Sequence, residues 1–328
     1  MKRDFYIVQS GDLKRKQNTV YFTNENTRKI IPIEKINALY CVGQVNINSK
    51  LLTYLSQKHI VAHFFNYYGY YTGSFYPREH LVSGDVIVHQ VKHYLDQQKR
   101  LAIAKEIVSS TIDNISRVLE HYRKHGKKIK HDLLKIRKCE KKIEDVGSIE
   151  ELMQKEGEAW KHYYRTFPKI LKFFEFSSRK KRPPNNEINC LISFLNSMLY
   201  TAVLTELYHT QLNPAVSYLH EPFVRRFSLS LDISEMFKPL ITGRAIFTLV
   251  NKQMIKENHF RRDLNSCLLN DAGKRVVLKE FDKRMNRTVK HPALNRKVSY
   301  RRLLRLEGYK LVKHVIGDKE YAGFRMWW

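Results

Sequence analysis

The chain lacks the spacings that announce the commonest cofactor and nucleophile chemistries. Its 4 cysteines, Cys41, Cys139, Cys190 and Cys267, include no CxxC pair, which argues against both a zinc ribbon and a disulfide framework. They read instead as small, partly buried thiols kept reduced in a cytoplasmic setting. No GxxxxGK[ST] and no GxGxxG occurs, so nucleotide-driven chemistry is not expected. GxSxG is absent, and so is HExxH, because His220 and Glu221 are not followed by a second histidine. Uninterrupted apolar runs such as AIFTLV at 245–250 fall far below the roughly twenty residues of a bilayer-spanning helix. The start, MKRDFYIVQSGD, has no apolar core of the kind an export signal carries. There is no internal repeat and no low-complexity segment.

Acidic residues are also scarce. Lysine and arginine number 59 against 32 aspartates and glutamates, a net charge of +27, far more than solubility requires. Such a surface fits a polyanion, nucleic acid first. A membrane surface fits less well, because the basic residues run along the whole chain and form no single basic amphipathic helix.

A chain of 328 residues has room for two domains. The fold class expected is α+β, with a small β-rich N-terminal domain at residues 1–76, a linker at 77–86 and a larger all-α domain at 87–328. In the first part, DFYIVQSG, NTVYFT, RKIIPI, ALYCVG, HIVAHFF and YYTGSFYP are short runs rich in Val, Ile, Tyr, Phe and Thr. One helix, SKLLTYLSQK, interrupts them, with Ser49 as its expected N-cap. The tyrosines of residues 64–77 suit sheet packing or a subunit interface better than a base-stacking platform. After Pro77 long amphipathic patterns take over. SIEELMQKEGEAWKHYYRTF opens with the capping pair Ser148 and Glu151, and its Gly157, costly inside a helix, predicts close approach by another helix or a ligand. A basic loop, SSRKKRPPNN, leads into a long apolar helix whose start is marked by Asn185 and Asn186.

The segment of most chemical interest is 217–240, SYLHEPFVRRFSLSLDISEMFKPL. Ionised carboxylates inside so apolar a stretch require a compensating cation, an arginine or a metal. A helix beginning near Asp232 would set Asp232 and Glu235 on one face with a common reach. With His220, and Glu156 as a further oxygen donor, the set would suit Mg2+ or Mn2+ better than zinc, and a hard dication on a basic surface implies phosphodiester chemistry. The same residues admit a plain structural account: Asp232 as an N-cap, Glu235 paired with Arg225 or Arg226, and His220 as a satisfied core histidine. On that account the chain would be a non-catalytic nucleic-acid-binding scaffold.

LHEPFVRRFSLSLDISEMFKPL, KEGEAWKHYY, RKKRPPNNEIN and VIGDKEYAGFRMWW together resemble the CRISPR-associated integrase family, the metal-dependent DNA endonucleases that insert spacers into CRISPR arrays in antiviral immunity, and within it the type I-B branch. The resemblance covers nearly the whole chain. It implies that Glu156, His220 and Glu235 bind a divalent metal, with Asp232 assisting, and that Arg179, Arg182, Arg225 and Arg226 contact the DNA backbone. It further implies a homodimer formed through the β-rich domain and a heteromeric assembly with a small partner, CRISPR-associated protein two. Lys155, Glu158 and Lys238 depart from the usual pattern; the last stands where an arginine is frequent and forgoes bidentate phosphate geometry.

Overall fold

A computed structural model describes residues 2–181, 183–222, 227–263 and 265–328. The N-terminal part contains β1 (Arg3–Ile7), β2 (Gly11–Lys16), β3 (Thr19–Thr23), β4 (Arg28–Pro32), β5 (Ile36–Cys41) and β6 (Val45–Ile47), then α1 (Ser49–Gln57), β7 (Val61–Phe65) and β8 (Tyr71–Phe75). Two four-stranded sheets result. One has the order β1-β5-β7-β8, parallel except for the antiparallel β8; the other runs β4-β3-β2-β6. Helix α1 is capped by Asn48, whose side chain accepts from the Leu51 amide, so the cap lies one residue before the expected Ser49.

Strand β5 explains why the run ALYC is apolar without alternation: it is buried on both faces. Leu39 and Cys41 join Leu13, Val20, Leu51 and Leu55 in a small core of the sheets and α1. Ala38 and Tyr40 face the large core built by the helices. Alternation disappears when neither side of a sheet is solvated.

The remainder comprises α2 (Gly84–Leu95), α3 (Gln97–Lys124), α4 (Lys130–Lys141), α5 (Ile149–Arg165), α6 (Phe167–Ile170), α7 (Glu187–Tyr208), α8 (Ser228–Phe237) and α9 (Arg244–Asn251). These are followed by β9 (Phe260–Asp263), β10 (Ser266–Leu269), α10 (Asp271–Met285), β11 (Thr288–His291), β12 (Arg296–Ser299) and α11 (Tyr300–Val315). The α+β class stands. The part expected to be all helical also holds two antiparallel hairpins, β9–β10 and β11–β12; strands of four residues are too short to show a period-two pattern.

Helix α7 is capped by Asn186, as Asn185 and Asn186 foretold. By length and composition alone it could cross a membrane, but 83% of its most apolar window is buried within the protein. Counting uninterrupted apolar runs missed it, because Asn196, Ser197 and Thr201 break the run without breaking the buried helix. Polar bonds tie the sheets to α7 and α11. The ring of His63 in β7 bridges Ser74 and Thr205 at 2.7 Å each, and burial drives its pKa down to about 3. Asp4 in β1 accepts from Arg301 at 2.8 Å. Part of the tyrosine-rich segment packs inward, with Tyr71 edge-on to Tyr200 and Tyr76 stacked on Phe227, while Tyr67 and Tyr68 are exposed.

Candidate active site

Glu156 lies on the buried face of α5 because Leu152, Ala159 and Tyr163 recur at helical spacing around it. Ser148 caps this helix, accepting from Glu151 N at 3.2 Å, and the Glu151 carboxylate accepts from the Gly147 amide. The Trp160 indole donates to Glu156 Oε1 at 3.2 Å. Glu158, the competing carboxylate, is exposed and within 3.7 Å of Lys155, so the two departures from the family pattern neutralise one another away from Glu156.

Gly157 does not serve the packing role expected of it: a Cβ there would meet nothing within 4 Å. The close approach lies elsewhere. At Gly243 a Cβ would collide with the Tyr163 hydroxyl, so α5 and the segment after α8 touch where the glycine is on the partner element.

Helix α8 begins at Ser228, four residues before the expected start, and this changes the role of Asp232. It caps nothing and does not point with Glu235 at a common ion. Fully buried, its carboxylate accepts from the backbone amides of Tyr218 at 2.7 Å, Leu219 at 3.0 Å and His220 at 3.0 Å, and from His220 Nδ1 at 2.8 Å. Asp232 therefore holds the loop 217–220 and sets the imidazole with Nδ1–H toward the carboxylate and the Nε2 lone pair outward. Burial disfavours charge on His220, but the hydrogen bond and charge of Asp232, aided by Glu235 and Glu156, outweigh it and raise its pKa. Arg100 fastens the same loop, donating to the Tyr218 carbonyl at 2.9 Å and to Glu221 at 2.6 Å.

Glu235 is buried; Lys238 donates to its Oε1, while Oε2 has no partner among the described residues. Immediately afterwards the helix widens into a π turn, Pro239–Gly243, closed by Gly243 N to Lys238 O at 2.9 Å. Pro239 has no N–H for the Glu235 carbonyl and its ring would crowd that carbonyl in a regular turn; such wide turns recur at functional sites. Beneath α8, the Asn114 amide donates to the carbonyls of Met236 at 3.0 Å and Phe324 at 2.8 Å, and Phe237 stacks on Phe324. Asn114, Arg100, Trp160 and Gly243 were not singled out from the sequence; each acts through a neighbour distant in the chain.

Glu156, Glu235, His220 and Lys238 form one electrostatic cluster. Burial, then the charge of Glu235, push the Glu156 carboxyl up to about 7, against the pull of Lys238, His220 and Trp160. Among the described residues no three of His, Cys, Asp and Glu are set to hold an ion, and the Lys238 ammonium takes the cation's part beside Glu235. The donor set nonetheless fits a hard dication: two buried carboxylates, one with an orphan oxygen, and an outward imidazole nitrogen.

The shift of Glu156 has a sign. Below its ordinary value of 4.5 the carboxyl is protonated folded or unfolded. Between 4.5 and about 7 the folded protein keeps a proton that the unfolded chain releases, so stability falls as pH rises through that window, by at most about 3 kcal/mol. Denaturation in EDTA from pH 5 to 7.5 should show this decline in the wild type and a flatter curve in Glu156→Gln; parallel curves would contradict it.

Among the DNA-contact candidates, Arg179 is half-buried and folded back on α7, donating to Asn189 Oδ1 at 3.1 Å, Ser193 Oγ at 3.0 Å and the Lys180 carbonyl. Its guanidinium fastens the basic loop to that helix. Arg182, Arg225 and Arg226 lie outside the described residues, and with them the pairing of Glu235 to either of the last two.

Comparison with known proteins agrees with this architecture. The family model for CRISPR associated protein Cas1 matches residues 5–283. A CRISPR-associated protein Cas1 of Methanobrevibacter ruminantium is 51% identical, over 100% of this chain and 99% of its own. A CRISPR-associated endonuclease Cas1 of Fusobacterium nucleatum is 48% identical, over 100% of this chain and 98% of its own. Among solved structures, a Cas1 protein from Thermotoga maritima superposes with a TM-score of 0.90 at 41% identity, over 98% of this chain and 100% of that one. With the α5 glutamate, the loop histidine and the α8 carboxylates gathered on such a fold, the chain belongs to the CRISPR-associated Cas1 family.

Proposed function

We propose that this chain is a divalent-metal-dependent DNA endonuclease and integrase that inserts spacer DNA into CRISPR arrays. The observation that carries the reading is His220, fixed by the fully buried Asp232 with Nε2 outward, in the same electrostatic cluster as the buried Glu156 and Glu235. Glu156, Glu235 and His220 would hold Mg2+ or Mn2+. Bound there, the ion would supply charge stabilisation for in-line displacement at a phosphodiester by water or a sugar hydroxyl. Asp232 is a positioning residue: it keeps the imidazole in the ligating tautomer. Lys238 neutralises Glu235 while no metal is present. The exposed surface over Gly157 leaves room for a phosphate backbone to come near Glu156. Arg182, Arg225 and Arg226 would add backbone contacts, and the net charge of +27 supports DNA as the partner. In this reading the protein is cytoplasmic, dimerises through its β-rich part at residues 1–76, and works with CRISPR-associated protein two.

The test is to incubate prespacer DNA and a supercoiled array plasmid with Mn2+, then to repeat with His220→Ala. Nicking and strand transfer are expected from the wild type and not from the variant, with DNA binding retained by both. No activity in either, or equal activity in both, would leave a nucleic-acid-binding scaffold.

A further inference from the structure

Apart from the carboxylate cluster, the molecule has a cavity of about 710 Å3 bounded by α3, α4, the first residue of α9, the residue Arg287 after α10 and the C-terminal tail. None of Glu156, His220, Asp232, Glu235 or Lys238 lines it. Its size is that of a small-ligand pocket, yet its lining is cationic. Arg117 is paired with Asp113 and Arg137 with Glu120. Lys124, Lys141, Arg244 and Arg287 have no ion-pair partner among the described residues. With Glu140 the only other carboxylate side chain among the described residues of the lining, the side-chain balance there is six cations against three anions, held around one concavity where their fields add.

The remaining wall is aromatic. Trp327 and Trp328 both line the cavity and are each 37% exposed. They are held rigidly. Trp328 stacks on Tyr300 with ring centroids 5.7 Å apart, Trp327 stands edge-on to Trp328 at 4.8 Å, and the Trp327 indole N–H is used by the Lys290 carbonyl at 2.9 Å. The tail that carries them is pinned by Asn114, which accepts from Met326 N at 2.7 Å, and by the Arg325–Glu106 pair. Unpaired cations beside ordered, half-exposed indoles are what a nucleotide requires: charge for the phosphate and a flat face for the base.

We propose that this cavity is a second nucleic-acid site, in which Lys124, Lys141, Arg244 and Arg287 take the phosphates of an unpaired nucleotide and Trp327 and Trp328 take its base. It needs no metal and stands whether or not the carboxylate cluster binds one. Double-stranded DNA is a poor occupant, because its bases are not free to meet the indoles.

The full chain, in EDTA, should be irradiated with a twelve-nucleotide single strand carrying 5-iodouracil, and the adducts mapped by mass spectrometry. Adducts on Trp327 or Trp328 are expected. They should fall at least about tenfold in Arg244→Glu/Arg287→Glu and in Lys124→Glu/Lys141→Glu, as loss of two phosphate contacts implies at low salt, while adducts elsewhere persist. Lys124, Lys141 and Arg287 are exposed and Arg244 is half-buried; circular dichroism will identify either double variant that fails to fold, leaving the other to decide. Competition by thymidine 5′-monophosphate would assign the site to a single nucleotide; competition by an unlabelled oligonucleotide alone would assign it to a strand. Adducts found only away from the two tryptophans, adducts indifferent to charge reversal in a folded variant, or competition by neither ligand would overturn the proposal.

Discussion

Replacing Glu235 by glutamine should lower DNA nicking and strand transfer by at least about 1,000-fold, since under the proposed function it takes away a carboxylate whose charge a hard dication requires. The substitution is nearly isosteric, so the helix and its π turn should survive. Two further readouts separate loss of a ligand from loss of the fold. Mn2+ binding by calorimetry should weaken together with activity. In the metal-free protein, the Glu156 carboxyl should titrate below about 7, because the charge of Glu235 is the second cause of its elevation after burial. Wild-type turnover by Glu235→Gln, or unaltered Mn2+ affinity, would show that Glu235 is merely the partner of Lys238.

Asp232→Ala is expected to be the most destabilising single change in the site. It deprives three backbone amides and the His220 ring of their acceptor at once. Leaving such buried donors unpaired costs about 1–3 kcal/mol each; relaxation of the loop and entry of water recover part of this, so a loss of about 3–5 kcal/mol is expected. Thermal melting should fall on the order of 10 °C. Asp232→Asn separates support from chemistry. It keeps one acceptor oxygen and should restore part of the stability, but its amide group faces the donors and cannot hold the Nδ1–H tautomer. Metal affinity should then drop about 10–100-fold. An alanine variant that melts with the wild type would mean the carboxylate does not hold the loop.

Much of the architecture was legible because its causes are local. Ser148 and Asn186 announce helix starts through side-chain oxygens that accept from the backbone amides three residues on, and the β-branched and aromatic runs before residue 77 announce strands. Where signals were shorter than a structural period, as in the four-residue strands β9 to β12, they were missed. Gly157 misled for a related reason. A helical glycine signals that space is wanted near it, but not on which element the neighbour sits, and the contact between α5 and the turn after α8 is made at Gly243.

By itself the sequence determined the class of the fold, a net charge of +27 that suits a polyanion, and the residue types on offer: one imidazole, three carboxylates and a basic surface. Tertiary structure alone decided what each carboxylate does. Asp232 and Glu235 stand three residues apart, yet one receives a loop and the other a lysine, because α8 begins at Ser228 and buries Asp232 against residues 217–220. Glu156 joins them from α5, and its raised pKa exists only once burial and a second charge surround it. Side-chain type and spacing are properties of neighbours along the chain. The partner of a buried charge is set by whatever the fold packs against it, where an unpaired group costs too much to leave to chance.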